Sequence, residues 1–235
     1  MKYLAIDAST EACSVALIIT DDKGEDKIIS RYEICPQSHS LVLLPMVDEV
    51  LKEAHCKVQD LDGLIFGRGP GSFTGVRIGI GVAQGLSFAA ELPVVGVSTL
   101  QAMAQWAYER EGATTVLAAI DARMSEVYTG YFKVDKQGLM QPTIDEAVIS
   151  PSLLVSHYEK YITPVYSVGS GWDAYNSDLS ALKAQTGSPT ILFPHAQGML
   201  KIGMEAFKNG QGVSAEEAQP VYVRDTVSWK KLPGK

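Results

Sequence analysis

Residues 67–85, with the sequence GRGPGSFTGVRIGIGVAQG, constrain the fold more than any other part of the chain. A glycine-rich turn opens directly into a stretch of helical length that itself contains Gly79, Gly81 and Gly85. Each glycine inside a helix costs about 1 kcal/mol relative to alanine, so the three together cost roughly 3 kcal/mol. Packing within the chain or against another chain must offset this cost. The segment therefore predicts a helix whose neighbours approach unusually closely.

The turn ahead of this helix has features of an anion site. Gly69 and Gly71 permit positive φ and close backbone approach, and Ser72 is a residue that caps helices. A capped helix N-terminus behind bare glycines can bind an anion. The lysine-containing phosphate-loop pattern is absent, because a valine follows Gly75 and no lysine is near. Ser72 does not stand in a G-x-S-x-G elbow, so a helix cap is its preferred interpretation over a nucleophile.

Composition excludes several classes of protein. The 235 residues are 46% hydrophobic, enough for one large core or two small ones. A net charge of −7 gives no general attraction to nucleic acid, so we do not expect the chain to bind RNA tightly by itself. No leader and no apolar run of membrane-spanning length is seen, and we expect a cytoplasmic protein. Cys13, Cys35 and Cys56 lack metal or redox spacing and are expected to be reduced, buried thiols.

The order of predicted elements divides the chain into two similar α/β halves. The first half reads β-β-β-α-β-α-β-α, with helices over 38–55, from the glycine turn to about 90, and over 98–111. The opening apolar strand with Asp-Ala at its end, residues 4–8, recurs at 117–122. We therefore predict domains 1–108 and 109–235, with a last segment, about 213–235, that can pack back on the first domain.

Several segments together resemble the TsaB (YeaZ) family of bacterial tRNA threonylcarbamoyladenosine synthesis. The matching pieces are MKYLAIDASTEACSVAL, SHSLVLLP, GRGPGSFTGVRIGIGVAQGL, GVSTLQAMAQ, LAAIDARMSEVY and QPVYVRDTVSWKKLPG. The resemblance implies an α/β fold of the actin-like or sugar-kinase-like ATPase type with two similar domains. It also implies a catalytic paralogue, TsaD, and a small ATPase, TsaE, as partners. In that family the complex transfers a threonylcarbamoyl group to N6 of the adenosine beside the anticodon.

Two polar turns are candidates for a nucleotide site inherited with such a fold. The first turn carries Asp7, Ser9 and Thr10, which either hold phosphate and metal or simply satisfy the donors of a hairpin turn. Its counterpart begins at Asp121 and has no glycine, so we expect phosphate binding and hydrolysis to be lost. Arg123 either offers a charge to an anion or pairs with Glu126. The full set of possible, vestigial nucleotide-binding residues is Asp7, Ser9, Thr10, Gly69, Gly71, Asp121, Gly169 and Gly171.

Gly169 and Gly171 with Trp172 have two interpretations. Folds of this type often contact a nucleoside here, but a strand-to-helix turn with Trp172 in the core is preferred.

The four histidines do not predict a metal site. No metal-binding H-x-x-x-H pair of the TsaD kind is present, so neither a metal nor another cofactor is expected. Of the four histidines, only His39 merits a test.

An excess of apolar and small residues on two helices predicts a partner surface. Gly75, Gly79 and Ala83 recur every four residues, as do Gly81, Gly85 and Ala89, and such faces serve either core packing or helix pairing. The helix over 38–55 has more apolar positions than one buried face needs. We expect these helices to pair with those of a second copy or of the TsaD-like subunit. The predicted interface residues are Leu41, Leu44, Val47, Leu51, Gly75, Arg77, Gly79 and Ala83.

The predicted function is that of a non-catalytic subunit which binds and activates a TsaD-like catalytic paralogue together with a TsaE-like ATPase. It forms a homodimer when alone and meets tRNA only through the complex. An active ATPase or kinase of the same fold is the alternative, and a metallopeptidase is a weaker one. The basic end, with Arg224, Trp229, Lys230, Lys231 and Lys235, either aids solubility or contacts an anion, tRNA or partner.

Overall fold

The first half of the chain forms a five-stranded sheet in a computed structural model that describes residues 1–161, 165–180 and 189–224. The strand order is β3-β2-β1-β4-β5, in which β1, β2 and β3 pair antiparallel and β4 and β5 continue parallel to β1. The order of elements in this half, β-β-β-α-β-α-β-α, is the predicted one. The strands are β1 Lys2–Asp7, β2 Ala12–Thr20, β3 Asp26–Ile34, β4 Gly63–Gly67 and β5 Val94–Val97.

The second half also begins with an antiparallel pair of strands, and shorter strands follow. Strands β6 and β7 pair antiparallel, β10 lies parallel to β6, and the short β8 and β9 both pair with β7. Its helices are short, except for the last. The elements are β6 Thr115–Asp121, β7 Val127–Val134, β8 Met140–Pro142, β9 Ala147–Ile149, β10 Tyr166–Val168, α4 Leu154–His157, α5 Gly171–Ala174, α6 Asn176–Leu179 and α7 Gln197–Lys208.

Three longer helices belong to the first half, and their sequences explain where they begin and end. Helix α1, His39–Glu53, follows Ser38, whose side chain makes no capping hydrogen bond. Helix α2, Phe73–Ala90, begins where Ser72 Oγ accepts the N–H of Gly75, so the expected cap is confirmed. Helix α3, Thr99–Glu111, is capped in the same way by Ser98 and ends at Gly112, whose φ is +69°.

The first sheet is covered on both faces. Helices α1 and α2 pack on one face, over a core that includes Leu4, Ile6 and Leu64. Helix α7 packs on the other face, over Ala5 and Ile65 among others. Because successive residues of a strand point to opposite faces, β1 contributes to both cores in alternation. The near-continuous apolar runs of β1 and β4 follow from this two-sided burial.

Helix α7 lies in the sequence of the second half but packs on the sheet of the first. Gly203 on α7 sits so close to Ile65 that a Cβ added there would lie 2.4 Å from its Cδ1. Farther along, Val213 forms a bridge with Val94, and Ala218 is buried in the core under α2. The return to the first half therefore starts with α7, earlier than the expected residue 213. None of the helices in the described ranges is long and apolar enough to cross a membrane.

His195 marks the point where the chain passes from the second half back to the first. Its ring stacks on Trp106 of α3, with centroids 4.6 Å apart, and on Tyr32 of β3, with centroids 5.4 Å apart. Nδ1 accepts the N–H of Gln197 at 3.1 Å. Burial, with a smaller contribution from Arg110, lowers the pKa of His195 to about 4. The ring is therefore neutral in the folded protein at physiological pH.

This lowered pKa predicts a loss of stability in mild acid. The unfolded chain binds a proton at His195 near pH 6.5, whereas the folded chain resists it down to about pH 4. The contribution is complete above pH 6.5 and is lost as the pH falls toward 4. Between pH 7.5 and 5 the free energy of unfolding should fall by about 2 kcal/mol more in the unsubstituted chain than in His195→Phe. Urea unfolding of both chains at the two pH values measures this difference, and equal falls would contradict the assignment.

Candidate functional site

Asp7 lies at the end of β1, in the first of the two polar turns, and is completely buried with Ser9. Its carboxylate accepts the N–H of Ser9 at 3.0 Å and the Ser9 hydroxyl at 2.9 Å. Burial raises the pKa of Asp7 to about 6, although the two hydrogen bonds from Ser9 and the charge of His39 oppose the shift. No ion pair joins Asp7 to a cation within the described residues. The carboxylate is thus held in an environment that disfavours its charge.

The glycine-rich loop packs directly on the backbone of this turn. A Cβ on Gly71 would lie 2.2 Å from the carbonyl oxygen of Ser9, and one on Gly75 would lie 2.1 Å from that of Ala8. The N–H of Ser72 donates to the Ser9 carbonyl at 2.7 Å. Only glycine permits such an approach without displacing the backbone. Close packing of α2 on the turn therefore accounts for Gly71 and Gly75.

Two donors in the first polar turn that a phosphate would require are already used. The N–H and hydroxyl of Ser9 both point at Asp7, and the buried Thr10 uses its carbonyl oxygen to accept Nε2–H of His39 at 2.6 Å. The N–H of Thr99 donates to the carbonyl oxygen of Gly69, which has φ +93°, at 3.0 Å. Asp7, Ser9 and Thr10 lie in one turn, as predicted, and Ser9 donates its two hydrogen bonds to Asp7.

The second polar turn also uses its acidic group internally. Asp121 accepts the N–H of Arg123 at 2.9 Å and the hydroxyl of Tyr175 at 3.0 Å, and pairs with the Arg123 guanidinium at 3.1 Å. Arg123 also reaches Glu11 of the first turn, at 3.0 Å. Because its side chain is 74% exposed, this bridge between the two turns contributes at most about 1 kcal/mol. Of the two alternatives for Arg123, pairing with Glu126 is wrong, because Arg123 pairs with Asp121 and Glu11.

Gly169 and Gly171 follow β10 and serve packing. A Cβ on Gly169, which has φ +109°, would lie 2.1 Å from the carbonyl oxygen of Ala119, and one on Gly171 would lie 2.8 Å from the same atom. Trp172 is buried, and its Nε1–H donates to the carbonyl oxygen of Val168 at 3.1 Å. The preferred interpretation, a strand-to-helix turn with Trp172 in the core, is confirmed.

Burial separates the predicted interface residues into two groups. Gly75, Gly79 and Ala83 face the protein's own sheet, so their assignment to a partner surface is wrong. Val47 and Leu51 on α1 are also buried in the core, which corrects their assignment too. The reason is that the apolar stripe of α1 and one of the two small-residue stripes of α2 are both needed to cover β1, β2 and β4.

The other side of the same two helices is open. A Cβ added to Gly81 or Gly85 would meet no atom of residues 1–161, 165–180 or 189–224 within 4 Å. Leu41 on α1 is 75% exposed, and Phe88 on α2 is also 75% exposed. We name this surface the helix-pair face and define it by exposed residues of α1 and α2, namely Leu41, Leu44, Pro45, Phe73, Arg77, Gly81, Gly85 and Phe88.

The last described residues run along α2 and back to the second turn. Arg77 lies 3.8 Å from the ring centroid of Phe73 and donates from Nε to the hydroxyl of Tyr222 at 3.0 Å. Arg224 donates to Glu126 at 2.5 Å and to the carbonyl oxygen of Ala122 at 3.2 Å. Arg224 therefore ties the chain end to the second half. The remaining residues of the predicted basic end, Trp229, Lys230, Lys231 and Lys235, lie outside the described ranges.

A cluster of Cys13, Cys35 and His39 was not predicted from the sequence. Cys13 and Cys35 are free, buried thiols, as expected, but strand pairing brings them together with His39. Burial, first, and then the Cys35 side chain raise the pKa of the Cys13 thiol. The signal available in the sequence was the short spacing between Cys35 and His39, with Cys13 on the neighbouring strand.

Comparison with known proteins places the chain among relatives of matching length. Residues 27–185 match the family model described as TsaD, tRNA N6-adenosine threonylcarbamoyltransferase. The chain is 46% identical to the tRNA threonylcarbamoyladenosine biosynthesis protein TsaB of Escherichia coli, with all of both chains covered. It is 43% identical to the protein of that name from Haemophilus influenzae, over all of this chain and 98% of the relative.

A solved structure gives the same result for the fold. The structure named YeaZ from Pseudomonas aeruginosa superposes with a TM-score of 0.79 at 42% sequence identity. The match covers 94% of this chain and all of the other. With full-length similarity in sequence and in fold, the chain belongs to the TsaB (YeaZ) family.

Proposed function

We propose that the chain is a non-catalytic subunit in tRNA threonylcarbamoyladenosine biosynthesis, which binds a TsaD-like catalytic paralogue through the helix-pair face and activates it together with a TsaE-like ATPase. The observation that carries the proposal is the open side of α2, where Gly81 and Gly85 leave space that nothing in the chain's own described part fills. The biosynthetic role rests on the names of the full-length relatives.

The energetics of α2 support an external partner. Gly81 and Gly85 weaken the helix by about 1 kcal/mol each, and no close packing by the described residues offsets this cost. Glycine lets the backbone of a second helix approach, as in pairs of helices with small residues at the contact. The exposed side chains of Leu41, Leu44 and Phe88, which flank these glycines, would then be removed from water. Each Å² of apolar surface that is buried would contribute about 25 cal/mol to the free energy of association.

The same face serves a second copy when the chain is alone. An exposed apolar surface on a solitary chain favours self-association, and two copies of one surface can pair about a twofold axis. The homodimer and the complex with the catalytic paralogue then compete for the helix-pair face. tRNA is met only through the complex, because the net charge of −7 opposes independent binding.

The polar turns support the non-catalytic part of the proposal. Ser9 donates both of its hydrogens to Asp7, and Asp121 is engaged by Arg123 and Tyr175. A working phosphoryl-transfer site needs free donors around the phosphate and a carboxylate free to hold a metal ion. An active ATPase or kinase of the same fold is the alternative, and it requires the Asp7 carboxylate itself.

Substitution of Gly85 by arginine tests the helix-pair face. A Cβ at this position meets no atom of the described part of the chain within 4 Å, so the variant should fold with unchanged circular dichroism. The arginine nevertheless blocks the close approach of another helix. We expect threonylcarbamoyl transfer to tRNA by purified TsaD-like and TsaE-like proteins, supplied with threonylcarbamoyl-AMP, to fall by at least about tenfold, equivalent to about 1.4 kcal/mol of association. Sedimentation should show monomer.

The matched control is Ser152→Arg, which places the same side chain at an exposed position of the second half. It should support transfer like the unsubstituted chain and sediment like it. A Gly85→Arg chain that remains dimeric and fully active would remove the helix-pair face from the proposal. Transfer that proceeds equally well with this chain omitted would remove the function itself.

Replacement of Asp7 by asparagine separates an accessory subunit from an ATPase. The raised pKa means that ionised Asp7 destabilises the fold above about pH 6, and this penalty disappears as the pH falls toward 3.8. The amide should therefore stabilise the chain by up to about 3 kcal/mol at pH 7.5 and by roughly half as much at pH 5, measured by urea unfolding. Transfer activity should be retained. A chain that is more stable but inactive would support the ATPase alternative.

A further inference from the structure

Three side chains from separate elements converge beside the start of α1. The Sγ atoms of Cys13 and Cys35 and a ring nitrogen of His39 all lie within 4.8 Å of one another. Within residues 1–161, 165–180 and 189–224, this is the one group of three or more histidine, cysteine or acidic side chains with ligand atoms so close. We propose that Cys13, Cys35 and His39 form a binding site for a thiophilic d¹⁰ cation, with Zn²⁺ as the expected occupant.

The backbone holds the three positions in place. Strands β2 and β3 pair with Ala12 opposite Ile34, and the ladder continues through the N–H of Cys35, which donates to the Glu11 carbonyl at 2.9 Å. The chain then turns back, with the N–H of Ser38 donating to the Cys35 carbonyl at 3.0 Å. His39 follows as the first residue of α1. Such anchoring reduces the entropy that a cation must overcome to order its ligands.

The hydrogen bond of His39 determines which nitrogen is available. Nε2 lies 2.6 Å from the carbonyl oxygen of Thr10, and since a carbonyl oxygen only accepts, Nε2 carries the proton. In the neutral ring Nδ1 then has the free lone pair. Metal-binding histidines regularly donate their second N–H to a backbone carbonyl, which orients the ring. Thr10 therefore acts as a positioning residue for His39.

The donor set and its spacing fit zinc. Two sulfurs and one imidazole nitrogen are ligands that Zn²⁺ prefers, at about 2.3 Å and 2.0–2.1 Å respectively. Ligand atoms on one tetrahedral centre are about 3.5–3.8 Å apart, so separations of up to 4.8 Å require movements of about 1 Å. Rotation of side chains alone can supply this. A water molecule would complete the four ligands.

Charge also favours a cation at this point. When Zn²⁺ binds, each thiol loses its proton to solvent, two S–H bonds are replaced by two S–Zn bonds, and the two thiolates neutralise the ion. The other ionisable groups that act on Cys13 are Asp7 and Glu33, and both are acidic. Both sulfurs are buried, which keeps competing water away from the Zn–S bonds.

A cobalt titration of the full chain tests the site. The protein is stripped of metal with a chelator, kept reduced with a phosphine, and titrated with Co²⁺ as a spectroscopic substitute for Zn²⁺. We expect thiolate-to-cobalt charge-transfer absorption that saturates at one ion per chain and disappears when Zn²⁺ is added. Zn²⁺ should also raise the thermal unfolding midpoint, because the preassembled site of the folded protein binds it more tightly than the unfolded chain does.

Two serine variants make the test specific. Cys35→Ser should weaken Co²⁺ binding at least about 100-fold, since loss of even an outer partner of a metal ligand costs 10- to 100-fold. Cys56→Ser is the matched control, because Cys56 is a free cysteine outside the cluster, and it should bind like the unsubstituted chain. If Cys35→Ser fails to fold by circular dichroism, His39→Gln takes its place, and the native mass of the unsubstituted chain with Zn²⁺ gives the stoichiometry directly.

Several results would overturn the proposal. These are no charge-transfer absorption from the reduced chain, absorption that survives in Cys35→Ser, or absorption that is lost in Cys56→Ser. A chain that forms a disulfide between Cys13 and Cys35 in air but binds no cation after reduction would also overturn it, and would assign the pair to thiol oxidation instead.

Discussion

Backbone contact between the Asp7–Ser9 turn and the beginning of α2 is the constraint on which the first half depends. The Ser72 N–H bonds to the Ser9 carbonyl at 2.7 Å, and Gly71 and Gly75 have no room for a side chain. This contact sets the distance between α2 and the sheet. Helix α1 and the short turn Ala215–Glu217 pack against α2. A loop that binds phosphate must stay open, whereas this one is filled by the protein's own backbone.

Glycine has two opposite purposes within α2. On the inward side Gly75 removes a clash with Ala8, so its cost in helix propensity is offset inside the chain. On the outward side Gly81 and Gly85 relieve no clash, because no atom of the described residues lies near them. A helix that is weakened on its exposed side without internal compensation differs from an ordinary surface helix, which is usually rich in good helix formers. The asymmetry between the two sides of α2 is thus more informative than its total glycine content.

Sequence patterns predicted the elements and their repetition well but not their faces. The Ser72 cap and the Trp172 core position follow from local rules, and the structure confirms both. The two small-residue stripes of α2 have the same period of four, so periodicity cannot say which one faces the sheet. Only the positions of β1 and β4 decide this.

Contacts between distant parts of the chain also could not be predicted from the sequence. The cluster of Cys13 with Cys35 depends on the register of β2 and β3, which a hairpin turn and burial determine together. Likewise, Glu126 pairs with Arg224, almost a hundred residues away, rather than with the nearby Arg123. The complete fold determines which charged residues pair at such separations, so the local sequence does not predict the pairs.

The return of α7 to the first sheet has a consequence for synthesis on the ribosome. All five strands of the first sheet have been synthesised once β5 is made. The face that α7 covers is left without this helix until residues 197–208 emerge from the ribosome, and it includes Ala5, Ala16, Ile65 and Val95. At elongation rates of about 5 to 20 residues per second, this interval of about a hundred residues lasts roughly 5 to 20 s. During that time the nascent chain carries an apolar sheet face in water. The first half is therefore the part of the chain for which a chaperone has the longest opportunity to bind.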